Sequence, residues 1–399
     1  MRPFLSLTAL IVLLTAGCAE KPNSVGNGLP NTDGDFAMFY DTLRAVSDTS
    51  YTVAYAPGSS LSDLSGRLNA NESVISLLNF TGTSLVDSLR GATIDSVRLM
   101  LTVNYRFTPA APPIAFSLVE VKSPWSSTTF TKDSMPLLQL GTSVLGTFSD
   151  SMNFLSIPYT FIADTSVIRR WAQYYYDTSS AVPEFYGFAV VPQAGATTGI
   201  VGFSSFNNYV GYAPTMVIKF TRNGRRDSVV FSNGEDTYAT ITTGAPAPVP
   251  MTVRGAFGTR SKVTFDHRML RDTVNTAVKT TLHKATLELM LDSVASTFSG
   301  FAPDTVVAIM GMPDGDIDRS DSSVFAYGVR RAGTGGQPPV YSFTVTNIAD
   351  LWVQGLKQNK GITLRWGAEY GSAEQAVFYR YNDPVPSRRP RMIVTYSKK

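Results

Sequence analysis

The acidic stretch DGDIDRSD, residues 314 to 321, offers carboxylate oxygens from Asp314, Asp316, Asp318 and Asp321 at the alternation that hard cations favour. Two features depart from a calcium-binding loop. Arg319 stands where a glycine would turn the chain, and Phe325 stands where a bidentate glutamate would close the site. The stretch is read as a solvated acidic loop, with a calcium site at those four aspartates as the alternative and no other cofactor expected. His267 and His283 are spaced for no metal motif and are read as surface residues. The chain has no Gly-x-Ser-x-Gly turn for a nucleophile and no glycine-rich loop followed by Lys and Ser or Thr to cradle phosphate. Glu120, Glu184, Asp236 and Glu288 read as ordinary strand or loop carboxylates, so no catalytic residue is assigned and the expectation is a protein that is not an enzyme.

Aromatic side chains are the other candidates, because exposed rings stack on sugar faces. Tyr174, Tyr175 and Tyr176 follow one another directly, Tyr209 and Tyr212 sit in the stretch NNYVGYAP, and Trp125 sits in SPWSSTTFT. These six are the expected glycan contacts, against the plainer reading that they pack the end of a sheet. Trp171 and Trp352 are expected in the core.

Positioning such residues is a matter of strands. Thr, Ser, Val, Tyr and Phe are abundant, long helical periodicity is scarce, and the only cysteine is Cys18, which predicts an all-β chain folded without disulfides. Several segments occur twice in the same order. APTMVIKFT (213–221) returns as RPRMIVTYS (389–397), SDTSYTV (47–53) as EDTYATI (235–241), and SLLNF (76–80) as SKVTF (261–265). SVRLMLTV (96–103) returns as KATLELML (284–291), TSVIRRWAQ (165–173) as TNIADLWVQ (346–354), and YGFAVVP (186–192) as KGITLRW (360–366). Alternation puts Leu99, Leu101, Met216 and Ile218 on a buried face, with Leu287, Leu289, Met392 and Val394 as their counterparts. Each Trp-bearing segment reads as a short helix, capped by Thr165 or Ser166 in one copy and by Thr346 or Asn347 in the other.

The organisation expected is a signal peptide over 1–17, a flexible tether over 18–35, a β-sandwich domain over 36–221, a linker over 222–228 and a second β-sandwich domain over 229–399. The signal reading rests on Arg2, the apolar run from Phe4 to Leu14 and the small residues before Cys18. The tether, AEKPNSVGNGLPNTDGD, has too few apolar residues to bury a core.

The formal net charge of +3 falls to +2 once Arg2 leaves, which gives no electrostatic case for a nucleic-acid partner.

Two resemblances extend these readings. Leu14, Thr15, Ala16 and Gly17 leading into Cys18 resemble a bacterial lipobox; this implies a diacylated Cys18, a membrane anchor with more than one acyl chain and, with Ala19 next, sorting to the outer membrane, facing either the surface or the periplasm. Each half resembles the DNRLRE-type domain of bacterial and archaeal surface proteins, which is related to disaggregatase repeats and some jelly-roll carbohydrate-binding modules. The residues that carry this are the SLLNF strand, GATIDSVRLMLTV, the helix bearing Trp171, the Pro-led last strand and the Trp125 loop, where Phe130 replaces a second Trp. The segment SVGNGLP and the DSV phrase at 95–97 also resemble large surface lipoproteins of Bacteroidetes-like bacteria.

The resemblance implies two tandem jelly-roll-like sandwiches and a non-catalytic adhesion or binding module for polysaccharide or cell-envelope glycan. The alternative is a structural subunit that meets other envelope proteins. The Tyr run of the first copy has no counterpart in Gly355, Leu356 and Lys357, which favours the first domain as the binder.

Overall fold

The computed structural model describes residues 38–80, 84–107, 113–152, 156–177, 184–193, 195, 198–208, 212–243, 250–270, 280–300, 305–311 and 324–398. Cys18, the signal and tether segments, Tyr209, Asp314, Asp316, Asp318 and Asp321 lie outside the described residues.

The strands of the first part of the chain are β1 (Met38–Thr52), β2 (Ser62–Asn69), β3 (Glu72–Asn79), β4 (Thr93–Phe107), β5 (Ile114–Val121), β6 (Leu140–Asp150) and β7 (Pro158–Ala163). Helix α1 (Thr165–Tyr176) follows, then β8 (Phe188–Pro192), β9 (Gly199–Ser204), β10 (Thr215–Arg222), β11 (Arg225–Ser232) and β12 (Glu235–Thr242). The rest comprises β13 (Met251–Arg254), β14 (Thr259–Phe265), β15 (Thr280–Met290), β16 (Val306–Met310), β17 (Phe325–Arg331), β18 (Val340–Thr344), α2 (Thr346–Val353), β19 (Ile362–Trp366), β20 (Gln375–Phe378) and β21 (Arg391–Lys398). The fold is all-β and antiparallel, with one short Trp-bearing helix in each half, as the alternating pattern requires.

The strands form a closed barrel in the order β1-β14-β19-β16-β17-β18-β15-β21 and an eleven-stranded half-barrel sheet over a second core. The barrel is a sandwich closed at its corners. β1 pairs with β21 over Met38–Arg44, then with β14 from Ala45 onward, with an irregularity between Ala45 and Ser47. β17 likewise pairs first with β16 and then with β18. In the larger sheet β4 plays this part, pairing with β10 and β7 by its first ten residues and with β9 beyond Val103. A bulge bends a strand and strengthens its twist, which is how one strand serves two packed sheets.

The repeats exchange their first strands. β1 opens the first repeat in sequence, yet its ladder partners belong to the second. β11 and β12 open the second repeat, yet they pair with β10 and β3 of the first. The two exchanges have the same register. Asp48, Thr49 and Ser50 face Val263, Lys262 and Ser261, while Asp236, Thr237 and Tyr238 face Leu78, Leu77 and Ser76. These are the residues that SDTSYTV/EDTYATI and SLLNF/SKVTF place in correspondence. The last strands agree as well, with Leu99 opposite Met216 and Leu287 opposite Met392.

This corrects the reading of 222–228 as a linker. Arg222 ends β10, Asn223 and Gly224 form a two-residue turn with φ of 52° and 73°, and β11 begins at Arg225. Positive φ at both central residues suits the twist of a tight hairpin, so the chain passes from one repeat to the next without leaving the sheet. The segment that separates the sheets in sequence falls instead between β12 and β13. The helix caps also differ from expectation. Asp164, one residue earlier than Thr165, accepts the Ser166 N–H at 2.7 Å, and α2 has no side-chain cap because the Thr346 hydroxyl accepts the Ala285 N–H at 3.0 Å.

Each half has its own core. Leu99, Leu101, Met216 and Ile218 pack with Trp171 and with Phe231 of the exchanged β11; Leu287, Leu289, Met392 and Val394 pack with Trp352 and with Leu43 of the exchanged β1. Trp171 donates to the Phe80 carbonyl at 3.0 Å, so its one polar atom is satisfied inside the core. Buried polar groups tie the halves together. The Tyr55 hydroxyl donates to the Ala256 carbonyl at 2.6 Å, and the Tyr105 hydroxyl donates to Glu374 at 3.0 Å while accepting the Ala373 N–H at 2.9 Å.

Gly187 and Gly361 occupy equivalent places, with φ of 99° and 88°. A Cβ would lie 2.1 Å from the Leu78 carbonyl oxygen at the first and 2.7 Å from that of Val263 at the second, and those two carbonyls are themselves equivalent. Gly187→Ala is expected to cost at least ~1–3 kcal/mol from backbone conformation alone, plus the clash, and Gly361→Ala somewhat less. Urea unfolding of the two variants checks this; equal midpoints to the parent would contradict it.

Candidate functional site

The aromatic residues chosen from sequence fall into separate groups. Trp125 is half-buried, and its Nε1 donates to the Tyr186 carbonyl at 2.7 Å. The Tyr186 hydroxyl donates to Glu184 at 2.8 Å, and Tyr174 faces the same carboxylate. The Tyr186 phenol is pushed up first by its hydrogen bond to Glu184, and that of Tyr174 first by desolvation and then by the Glu184 charge. Tyr175 meets Tyr174 edge-on at 5.2 Å and Trp171 at 5.6 Å, as residues four apart on a helix should. Thus Trp125, Tyr174 and Tyr175 join one band through Tyr186 and Glu184, which the sequence reading did not select for this purpose. Tyr176 instead lies under the Arg90 guanidinium at 5.0 Å, and Tyr212 is exposed just ahead of β10.

His267 shares a hydrogen bond with Asn359 at 3.0 Å, and His283 shares one with Ser397 at 3.0 Å. Among the described residues no group of three or more His, Cys, Asp or Glu side chains is placed to hold a metal.

A more open site lies on the outer face of the closed barrel. Leu43, Ala285, Leu287, Phe343, Met392 and Val394 point into the core, so their alternating neighbours on β1, β21, β15 and β18 must point out. The outward residues line a groove of about 410 Å³, bordered by Tyr40, Lys284, Thr286, Glu288, Tyr327, Val329, Arg331, Ser342, Thr344, Ile393 and Thr395. Ladder register sets its rows: Tyr40 faces Thr395, which faces Lys284; Ile393 faces Thr286, which faces Thr344; Arg391 faces Glu288, which faces Ser342. Glu288 is held by Arg391 through contacts of 2.7 and 2.8 Å. Tyr40 is 75 % exposed and Tyr327 61 % exposed, and they stand on strands four ladder spacings apart, about 19 Å. Two open phenol rings, a floor bearing Thr hydroxyls, and the cations Lys284 and Arg331 can stack on sugar rings and bond hydroxyl or acid groups.

A third feature lies between the repeats. Asp63 on β2 and Asp236 on β12 are 1 % and 2 % exposed and face each other. The sequence pattern marks Asp236 as an ordinary strand or loop residue, whereas the fold buries it. It accepts the Phe206 N–H at 2.5 Å and an Asn233 amide N–H at 2.6 Å. Burial pushes Asp236 up to about 6 despite those donors, and burial followed by the Asp236 charge pushes Asp63 well above the usual carboxylate range. Burial and their mutual repulsion thus both disfavour ionising the pair.

The second repeat solves the same problem differently. Asp48, the counterpart of Asp236, accepts the Tyr381 N–H at 2.6 Å and the Arg380 Nε–H at 2.8 Å. Phe206 corresponds to Tyr381, and Ser205 stands where Arg380 would neutralise the charge. Beside the acid pair is a cleft of about 460 Å³ whose wall includes the exposed Phe206, Asn207, Ser59, Ser127 and Glu235. The other carboxylates named from sequence are committed elsewhere: Glu120 pairs with Arg170, and Glu288 belongs to the groove.

Comparison of the chain with protein-family models, with curated proteins and with solved structures finds no match.

The acid pair has a signed pH consequence. Both folded-state values lie above the unfolded ones, so the stability they contribute is fully present below about pH 4 and is lost as pH rises, through about 6 in the case of Asp236. Asp63→Asn keeps an amide that can donate to Asp236 and removes the second acid. Urea midpoints measured at pH 5 and pH 8 should fall with pH in the parent and fall much less in the variant, a difference on the order of 1–3 kcal/mol at pH 8. Parallel slopes would show that the pair does not titrate in this range.

Proposed function

We propose that this protein is a non-catalytic binding module for polysaccharide, with the groove on the closed barrel as its glycan site and the lipid on Cys18 as its anchor to the outer membrane. The observation that carries the reading is the pairing of two highly exposed tyrosines, Tyr40 and Tyr327, across a floor of hydroxyl-bearing residues. Large exposed aromatics on a sheet face gain nothing for the core, whereas each offers a flat apolar surface to a sugar ring. The reading agrees with the resemblance to jelly-roll carbohydrate-binding modules. It moves the site away from the first-domain tyrosine run, whose rings Tyr174 and Tyr175 are half-buried against neighbours.

A structural subunit is the second reading. It is favoured by Val144, exposed on β6 at one end of the larger sheet, and by Ile157 and Ile162, exposed on or beside β7, which pairs with β4 alone. An end strand flanked by apolar side chains suits contact with another protein.

A glycan array probed with the mature chain, followed by titration calorimetry on any glycan retained, tests the first reading. Tyr40→Ala and Tyr327→Ala should each weaken binding by about 3- to 10-fold, the range expected for one aromatic contact. The Tyr175→Ala, Tyr176→Ala double variant should bind as the parent does. Retention of no glycan, or loss only in the Tyr175/Tyr176 variant, would overturn this site.

A further inference from the structure

We propose that β1 is an exchangeable donor strand, and that the seam between β14 and β21 accepts the β1 strand of a second copy of this chain. The barrel cannot close with strands of its own repeat. Without β1, both β14 and β21 would become unpaired edges, and unpaired edges are templates for another strand. The larger sheet shows that such donation is the rule in this chain, since β11 and β12 fill the equivalent place there in the same register.

The two donors differ in how firmly they are held. β11 and β12 have chain at both ends, starting from a tight turn, and they bury Val229, Phe231 and every residue from Asp236 to Thr240. β1 lies N-terminal to all other described elements and is joined to them through its C-terminal end alone. Of its fifteen residues only Leu43 and Ala45 are buried. Its attachment is therefore the backbone ladder together with polar contacts along the rim, Arg44 on the Pro386 carbonyl, Ser47 on Thr264, Asp48 on Arg380 and Tyr381, and Ser50 on Ser261 and the Pro250 carbonyl, with Phe39 stacked on Tyr396. Any copy of β1 makes those same bonds, because the acceptor reads an identical sequence in an identical register.

The intramolecular strand has the advantage of a high effective concentration, so isolated chains close on themselves. Crowding chains together removes that advantage by mass action. A β1 passed from each copy to the next is a heterologous contact, which makes either rings or open-ended chains; a reciprocal pass makes a two-fold dimer.

The test uses the mature chain with Cys18→Ser and single cysteines on facing positions of β1 and β21, Thr42→Cys and Ile393→Cys. The double variant in one chain establishes that this pair forms a disulfide. The two single variants are then mixed, passed through urea, refolded at high protein concentration and oxidised. A mixed disulfide dimer should form, rising about fourfold for each doubling of concentration while monomer predominates. Ile393→Cys mixed with Val230→Cys, on the exposed side of β11, supplies the background. Light scattering of the refolded parent should show the same concentration-dependent species. Mixed dimer no greater than that background, or a parent that stays wholly monomeric, overturns the proposal.

Discussion

The backbone ladder that β1 makes with β14 and β21 is the constraint on which the rest of the structure depends. Seven residues of β1 pair with β21 and seven with β14, so a strand from the start of the described chain closes a barrel built from its end. The ladder brings Met38 opposite Ser397 and removes both edges that the second repeat would otherwise expose. It also builds the groove, because Tyr40 reaches the floor formed by Thr395 and Lys284 only when β1 is in place. Closure and candidate binding surface are thus consequences of the same hydrogen bonds.

Duplication has preserved what faces inward and released what faces out. Leu99 and Leu287, Met216 and Met392, and Ile218 and Val394 are alike because each fills a core of similar shape. Their outward neighbours differ freely: Thr286 and Glu288 in the groove correspond to Arg98 and Met100 in the other repeat. The buried loop anchor is an intermediate case. Both repeats use a carboxylate on the exchanged strand to hold an aromatic residue's backbone N–H, but one pairs it with Arg380 and the other sets it beside Asp63, where burial disfavours ionisation of the two acids. Burying a charge demands some compensation, and the chain has found two.

The sequence by itself determined the all-β class, the duplication, the inward faces and the burial of both Trp helices, because period-two alternation and a repeated order of segments are local properties. It even contained the strand register, since residues aligned between SDTSYTV and EDTYATI meet equivalent partners. Tertiary structure alone decided which repeat each first strand serves. The hydrogen bonds of a ladder carry no side-chain identity, so the same alternating strand suits either core, and 222–228 reads equally well as a linker or a hairpin. The groove was illegible for the same reason: Tyr40 and Tyr327 are nearly three hundred residues apart in sequence and share a surface only through the exchange. Asp236 shows the rule on the smallest scale, because a lone aspartate in a strand is ordinary until the fold buries it against Asp63.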